Sequence, residues 1–154
     1  MIEVKFKKLD SSAVPFSYTR EDDACMDMFA LADMTLQAGM TAIIPTGIAV
    51  EIPEGYEGQV RGRSGLNSKG IKVAIGTIES EYRGDVGIIA TNHSLYPFEV
   101  KAGMRLAQFT IKPVYKIQLV EEVELSDTAR GANGYGSSGV WLLRKTYLQF
   151  MKVM

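Results

Sequence analysis

The chain has 154 residues, 46% hydrophobic and 23% charged, which is enough for one globular domain with a sizeable core. Its formal net charge of -1 speaks against a general nucleic-acid binder, and no apolar run reaches the ~20 residues that span a bilayer. The N-terminus lacks the apolar core of a signal peptide, and the one cysteine, Cys25, cannot form an internal disulfide, so Cys25 is read as a small buried residue and the expected compartment is the cytoplasm.

Ile2, Val4 and Phe6 alternate with Glu3, Lys5 and Lys7, the pattern of a half-exposed strand. Residues 11–23 are polar, contain Pro15 and read as a loop, and 24–31 form a short mixed run around Asp27. Extended segments follow at 41–44, 47–52 and 56–61, punctuated by Gly39, Pro45 and the turn Pro53-Glu54-Gly55. A Gly/Ser-rich loop covers 62–70. Two apolar, β-branched runs, 71–75 and 86–91, then read as the arms of a hairpin whose polar tip runs from Gly76 to Val86. Further strands are expected at 98–100, 105–114 and 117–125. Many short strands between turn signals, with no long amphipathic helix before residue 140, indicate an all-β sandwich or barrel. After Gly139, Val140, Leu143, Tyr147, Phe150 and Met151 fall at helical spacing, which fits either a short C-terminal helix or a frayed end.

Chemistry concentrates in a few places. The hairpin tip carries Glu79, Glu81, Tyr82, Arg83 and Asp85, which suits a binding wall and equally a solvated turn. Arg61-Gly62-Arg63-Ser64-Gly65-Leu66 is a loop whose N–H groups, Ser64 hydroxyl and Arg63 charge can meet an anion. Residues 130–139 hold four glycines around Arg130, Tyr135, Ser137 and Ser138, the composition of an arm that closes over a ligand or of a disordered tail. Arg83, Arg105 and Arg130 add forked donors suited to phosphate. His93 reads as a turn residue and the eight methionines as core filler.

Five segments, taken in order, resemble those of the homotrimeric dUTP nucleotidohydrolases (dUTPases): Ala24-Cys25-Met26-Asp27-Met28-Phe29-Ala30, Arg61 to Leu66, Gly76 to Val86, Gly103-Met104-Arg105-Leu106-Ala107-Gln108, and Arg130 to Gly139. The resemblance covers residues 1–139. It implies a jelly-roll-like β-barrel over 1–125, a Gly-rich arm over 126–139 that closes the active site, and an extension over 140–154. It implies a homotrimer with shared active sites, and Mg2+-dependent hydrolysis of dUTP to dUMP and pyrophosphate by water attack at the α-phosphorus. Glu79 would position the water. Arg105 would support that acid and Gln108 would bind the α-phosphate. Arg63, Ser64 and Gly65 would meet the phosphates, and Asp27 would hold Mg2+ through water. Main-chain groups at Gly76 and Ile78 would read the uracil edge, and Tyr82 would lie under the deoxyribose. Arg130, Gly136, Ser137 and Ser138 would bind the γ-phosphate side, with Tyr135 over the uracil.

The chain departs from the family pattern at Glu79, where an Asp is usual, at Val73-Ala74-Ile75, where many members carry Asn and Pro, and at Gly62, where Pro is common. The segment after Gly139 is long and could contact a protein partner. Two other readings compete: a dUTP-binding or regulatory module on the same fold with weak or no catalysis, and the related dCTP deaminase class, which would need a different acid and serine pattern around the second and third segments.

Overall fold

A computed structural model describes residues 2–134, 136, 137 and 139. Its contacts divide the chain into two units, Met1–Lys116 and Ile117–Met154. The first unit holds all the regular elements among the described residues: β1 (Lys5–Lys8), β2 (Met26–Phe29), β3 (Met34–Leu36), β4 (Thr41–Ile44), β5 (Ile48–Glu51), β6 (Tyr56–Gly62), α1 (Ser64–Asn67), β7 (Ile71–Val73), β8 (Gly76–Ile78), β9 (Ile88–Asn92), β10 (Phe98–Val100) and β11 (Arg105–Pro113). The all-β expectation holds. Hydrogen bonding groups the strands into antiparallel sheets ordered β1-β5, β10-β3, β2-β11-β6-β8 and β4-β9-β7, not into one continuous closed ladder.

Alternation decides what these sheets enclose. Met28, Leu36, Ile44, Ile48, Val60, Val86, Ile88, Val100, Leu106 and Phe109 are buried in a common core. At ~25 cal/mol per Å2 each such side chain stabilises the fold by roughly 1.5–3 kcal/mol. Phe109 packs on Phe16 with ring centroids 5.4 Å apart, and lies so close over Gly58 that a Cβ there would sit 2.7 Å from the ring. The buried Asn92 is fully satisfied: its Nδ2 donates to the Leu36 and Tyr96 carbonyls, and its Oδ1 accepts from the Ser94 N–H and hydroxyl. It thereby ties β9 to the chain around β3 and to the loop ahead of β10. On the surface, Asp33 accepts from the Ala102 N–H at 2.9 Å and from Lys101 Nζ at 3.1 Å. The Ala102 N–H first, and then the lysine, hold its carboxyl below the usual carboxylate value.

The two hairpin arms do pair, β7 with β9, from Ile71 opposite Asn92 to Val73 opposite Ala90. The chain then changes sheets. After the Ala74 N–H bonds to the Ile89 carbonyl, β8 crosses over to β6, with Gly76 opposite Val60 and Ile78 opposite Gly58. The start of the expected polar tip is therefore itself a strand, in a different sheet from the arm before it.

Other expectations are corrected. Residues 117–125 do not form a strand: Ile117, Leu119, Val120, Val123 and Leu125 are all exposed, and an extended segment becomes a strand only when another edge satisfies its N–H and C=O groups. Strand β1 is exposed along its length rather than alternately buried, because only β5 pairs with it. Cys25 is half-buried, not buried. Strand β3, paired with β10, and the helical turn α1 inside the Gly/Ser-rich loop have no counterpart in the sequence reading. The stretch after Gly139, read as either a short helix or a frayed end, lies outside the described residues.

Candidate active site

The first group of candidate residues meets on the β2-β11-β6 face. Asp27 on β2 is buried at 5% exposure. Its Oδ1 lies 3.3 Å from Arg63 Nε, and its Oδ2 lies 3.4 Å from Arg105 Nη1. Thr19 donates its hydroxyl to Asp27 Oδ2 at 2.8 Å and accepts from Arg105 Nη1 at 3.1 Å. Arg63 also donates to the Arg105 carbonyl at 2.9 Å. The sequence brings Arg105 here through a β-bulge: the β11-β2 register slips between Arg105 and Ala107, which re-aims the side chain at the start of the strand. Two guanidiniums on one carboxylate leave a surplus positive charge, and both arginines stay partly exposed. Such an excess of guanidinium donors is chemically suited to an anion.

Ser64 and Gly65 open α1 beside this cluster. Their N–H groups precede the first hydrogen bonds of the turn, which run from Leu66 and Asn67 N–H to the Arg63 carbonyl, so they are open to an anion. The structure also accounts for Gly62. A Cβ there would sit 2.8 Å from both terminal atoms of the Asn67 amide, so the glycine makes room for Asn67, whose Oδ1 is buried without a partner. Gln108 is half-buried on β11, opposite Asp27 on one side and Arg61 on the other.

The second group is built by the segment after β8. The Tyr82 N–H bonds back to the Glu79 carbonyl at 3.0 Å, closing a turn over Glu79-Ser80-Glu81-Tyr82. Arg83 clasps it, donating to the Ser80 carbonyl at 2.6 Å and the Tyr82 carbonyl at 2.9 Å. The Tyr82 hydroxyl donates to the Asp85 carbonyl at 3.0 Å. Glu79, Tyr82, Ile78, Asp85, Pro45 and Ile89 are among the residues lining a cavity of about 570 Å3. Glu79 is exposed and its carboxylate makes no hydrogen bond or ion pair among the described residues. Arg105 is on Asp27 and not on Glu79; within one chain the two groups are separate.

In the second unit, Arg130 Nε donates to the Asn133 carbonyl at 3.0 Å, and Ser137 Oγ donates to the same carbonyl at 3.4 Å. Gly136 has φ +80°, a conformation that a residue with a Cβ rarely adopts. Tyr135 and Ser138 lie outside the described residues.

Comparison with known proteins decides the family. The dUTPase family model matches residues 12–139. The chain belongs to the dUTPase family. Among its relatives are the deoxyuridine 5'-triphosphate nucleotidohydrolase of Alkaliphilus metalliredigens, 42% identical over 143 residues and matched over 91% of this chain and 99% of that protein. That of Clostridium tetani is 43% identical over 139 residues, 88% of this chain and 96% of that protein. A solved dUTPase of Staphylococcus bacteriophage 80alpha, with dUPNHPP, superposes with a TM-score of 0.84 at 29% identity, covering 90% of this chain and 99% of that one. A variant dUTPase of S. aureus phage phi11, described with a structural Mg(II) ion, reaches a TM-score of 0.77 at 25% identity, over 81% of this chain and 99% of that one.

Two features of this dUTPase-family chain escaped sequence reasoning. Thr19 sits in a loop with no periodicity, and only the isolated bridge between Ser17 and Asp27 brings it beside Asp27. Asp85 was visible at the tip of the expected hairpin, but its partners are some forty residues away at Thr46 and Ile48. Among the described residues no three His, Cys, Asp or Glu side chains gather as a metal cluster, and no helix is long and apolar enough to cross a membrane.

Proposed function

We propose that the protein hydrolyses dUTP to dUMP and pyrophosphate. The observation that carries this reading is the Glu79 carboxylate, unpaired among the described residues, beside Tyr82 on the wall of the cavity. A carboxylate left without protein partners is available to orient a water and take its proton. The water oxygen bonds to the α-phosphorus, the bond from that phosphorus to the bridging oxygen breaks, and pyrophosphate leaves with the electron pair. Tyr82, which lines the cavity with Ile78, presents a ring to the sugar, and main-chain groups of Gly76 and Ile78 read the base. Arg63, Ser64, Gly65 and Gln108 hold the phosphates. Arg130, Gly136 and Ser137, with Tyr135 and Ser138, close over the nucleotide, an action suited to a segment so rich in glycine.

Asp27 fits a supporting role toward Mg2+. Its donors are oxygens, the kind this ion prefers, and a carboxylate whose Oδ1 has one guanidinium partner retains a lone pair for a metal-bound water. When bound, the cation supplies charge neutralisation of the triphosphate. The phi11 relative described with a structural Mg(II) ion supports Mg2+ as an ion this family uses.

The register argues for shared sites. Glu79 and Gln108 are both assigned to the α-phosphate. Yet β6 lies between β11 and β8, Gln108 faces Arg61, and Ile78 faces Gly58. At ~3.3 Å per residue and ~4.8 Å per strand the backbones of Gln108 and Ile78, the residue before Glu79, are already about 14 Å apart. A second copy of the chain that brings its own Glu79 turn to this Gln108 completes the site, and threefold closure makes three such sites.

One experiment tests the reading: incubation with dUTP, dCTP, dTTP and UTP in Mg2+, with pyrophosphate and ammonia measured. Pyrophosphate from dUTP is expected. Its absence at every enzyme concentration overturns the reading; ammonia from dCTP would indicate the deaminase class, and tight dUTP binding without turnover a regulatory module.

A further inference from the structure

We infer that Asp85 is a positioning residue that sets the choice between deoxyribose and ribose, acting through Tyr82. The inference rests on the dUTP reading above for the ligand, and on the following geometry for the residue. The Asp85 carboxylate is docked into the corner between β4 and β5. It accepts from the buried Thr46 hydroxyl at 2.8 Å, from the Thr46 N–H at 3.2 Å and from the Ile48 N–H at 3.3 Å. Thr46 is fully buried, and its hydroxyl in turn accepts from the Ile48 N–H at 3.2 Å. Immediately after, the Val86 N–H bonds to the Ile48 carbonyl at 2.8 Å. The backbone at residues 85 and 86 is therefore fixed to the β4-β5 corner from both sides of the chain.

Tyr82 is fixed to that same backbone. Its hydroxyl donates to the Asp85 carbonyl at 3.0 Å. Its ring lies against Gly84 so closely that a Cβ there would overlap the phenol oxygen and sit 2.6 Å from Cζ. The chain of contacts runs from the β4-β5 corner to the Asp85 carboxylate, to the Asp85 carbonyl, to the Tyr82 ring. A ring that excludes a 2'-hydroxyl works only at a fixed height over the sugar, since a shift of ~1 Å opens the room that a hydroxyl needs. Asp85 sets that height without touching the nucleotide. The Glu79 turn is closed onto the Tyr82 N–H, so the catalytic carboxylate shares the anchor.

Asn in place of Asp85 keeps the shape but turns an N–H2 toward donors, leaving residue 85 one acceptor atom for the Thr46 hydroxyl and the Thr46 and Ile48 N–H groups together. The test compares wild type with Asp85→Asn, Thr46→Val, Thr46→Ser, Tyr82→Phe and the double variant Tyr82→Phe/Asp85→Asn. Dissociation constants for dUpNHpp and its ribo counterpart are measured by calorimetry in Mg2+, beside pyrophosphate release from dUTP and thermal unfolding. The deoxy-over-ribo preference is expected to fall about tenfold in Asp85→Asn and in the same direction in Thr46→Val, and to stay near wild type in Thr46→Ser. The double variant is expected to fall no further than the lower single variant, because both changes act on one ring. A preference within about twofold of wild type in folded Asp85→Asn, or additive losses in the double variant, overturns the inference. If Asp85→Asn does not fold, Thr46→Val against Thr46→Ser carries the test. Wild type that prefers the deoxy analogue but releases no pyrophosphate would overturn the catalytic reading while leaving this inference standing.

Discussion

Replacing Glu79 by Gln removes the proposed base and little else. The side chain is exposed, it has no hydrogen bond among the described residues, and the turn it opens is closed by its main-chain carbonyl. Stability is therefore expected to move by no more than ~0.5 kcal/mol, the range of an ordinary surface change. The rate is another matter. Loss of a positioned general base costs about 100- to 10,000-fold, or roughly 2.7–5.5 kcal/mol on the barrier. Glu79→Asp separates position from chemistry. It keeps the carboxylate but withdraws it by one C–C bond, ~1.5 Å, a distance that commonly costs about 100-fold when a site is built for the longer acid. A site that retains the geometry of the family's usual Asp instead loses nothing and gains rate. The assay is pyrophosphate release from saturating dUTP in Mg2+, beside thermal unfolding of each variant. Glu79→Gln with kcat within about threefold of wild type would refute the reasoning, since no base contribution of that size is so small.

Asp27→Asn strips the charge that two arginines and Thr19 surround. The expected loss is about 1.5–3 kcal/mol, seen as a drop of roughly 5–10 °C in Tm; an unchanged Tm by circular dichroism would show that the arginines find solvent instead. Gly47→Ala places a Cβ 2.9 Å from the Ala13 methyl at φ +69°, and is expected to cost ~1–3 kcal/mol; denaturant unfolding with an unshifted midpoint would show that the corner yields. Asp33→Asn is expected to lower Tm at neutral pH. Because the folded carboxyl titrates below its unfolded value of 3.8, that stabilisation is present above this value and is lost as pH falls through the lower, folded one. The two proteins' melting temperatures should converge there, and a constant gap down to acid pH would contradict the assignment.

Much of this was legible because the signals are local. The run Thr41–Ile44 emerges as β4 with the expected bounds, since β-branched residues between Gly39 and Pro45 have little else to form. Arg105–Pro113 is nearly as expected for the same reason. The five segments placed Asp27, Arg63 and Arg105 as parts of one family pattern, and the structure brings those three together. What escaped depends on partners distant in sequence. The crossing from β9 to β6 at Gly76 follows from which edge is free, and no periodicity in 71–78 records that. Arg105 leans on Asp27 because of a bulge that the sequence does not announce. The apolar run at 117–125 looks like a strand because its composition is that of one, yet composition cannot supply an opposing edge.

The change of sheet at Gly76 also fixes how this molecule breathes. The Ala74 amide is held by β9, whereas the strand that begins two residues later is held by β6. Neighbouring amides thus belong to different opening units, and hydrogen exchange should report two free energies across this short stretch rather than one gradient. Loosening the β4-β9-β7 sheet would release one shoulder of the Glu79 turn while β6 keeps hold of the other. The wall of the cavity would then swing about Gly76 as a hinge, and it would exchange its amides at the rate of the weaker sheet.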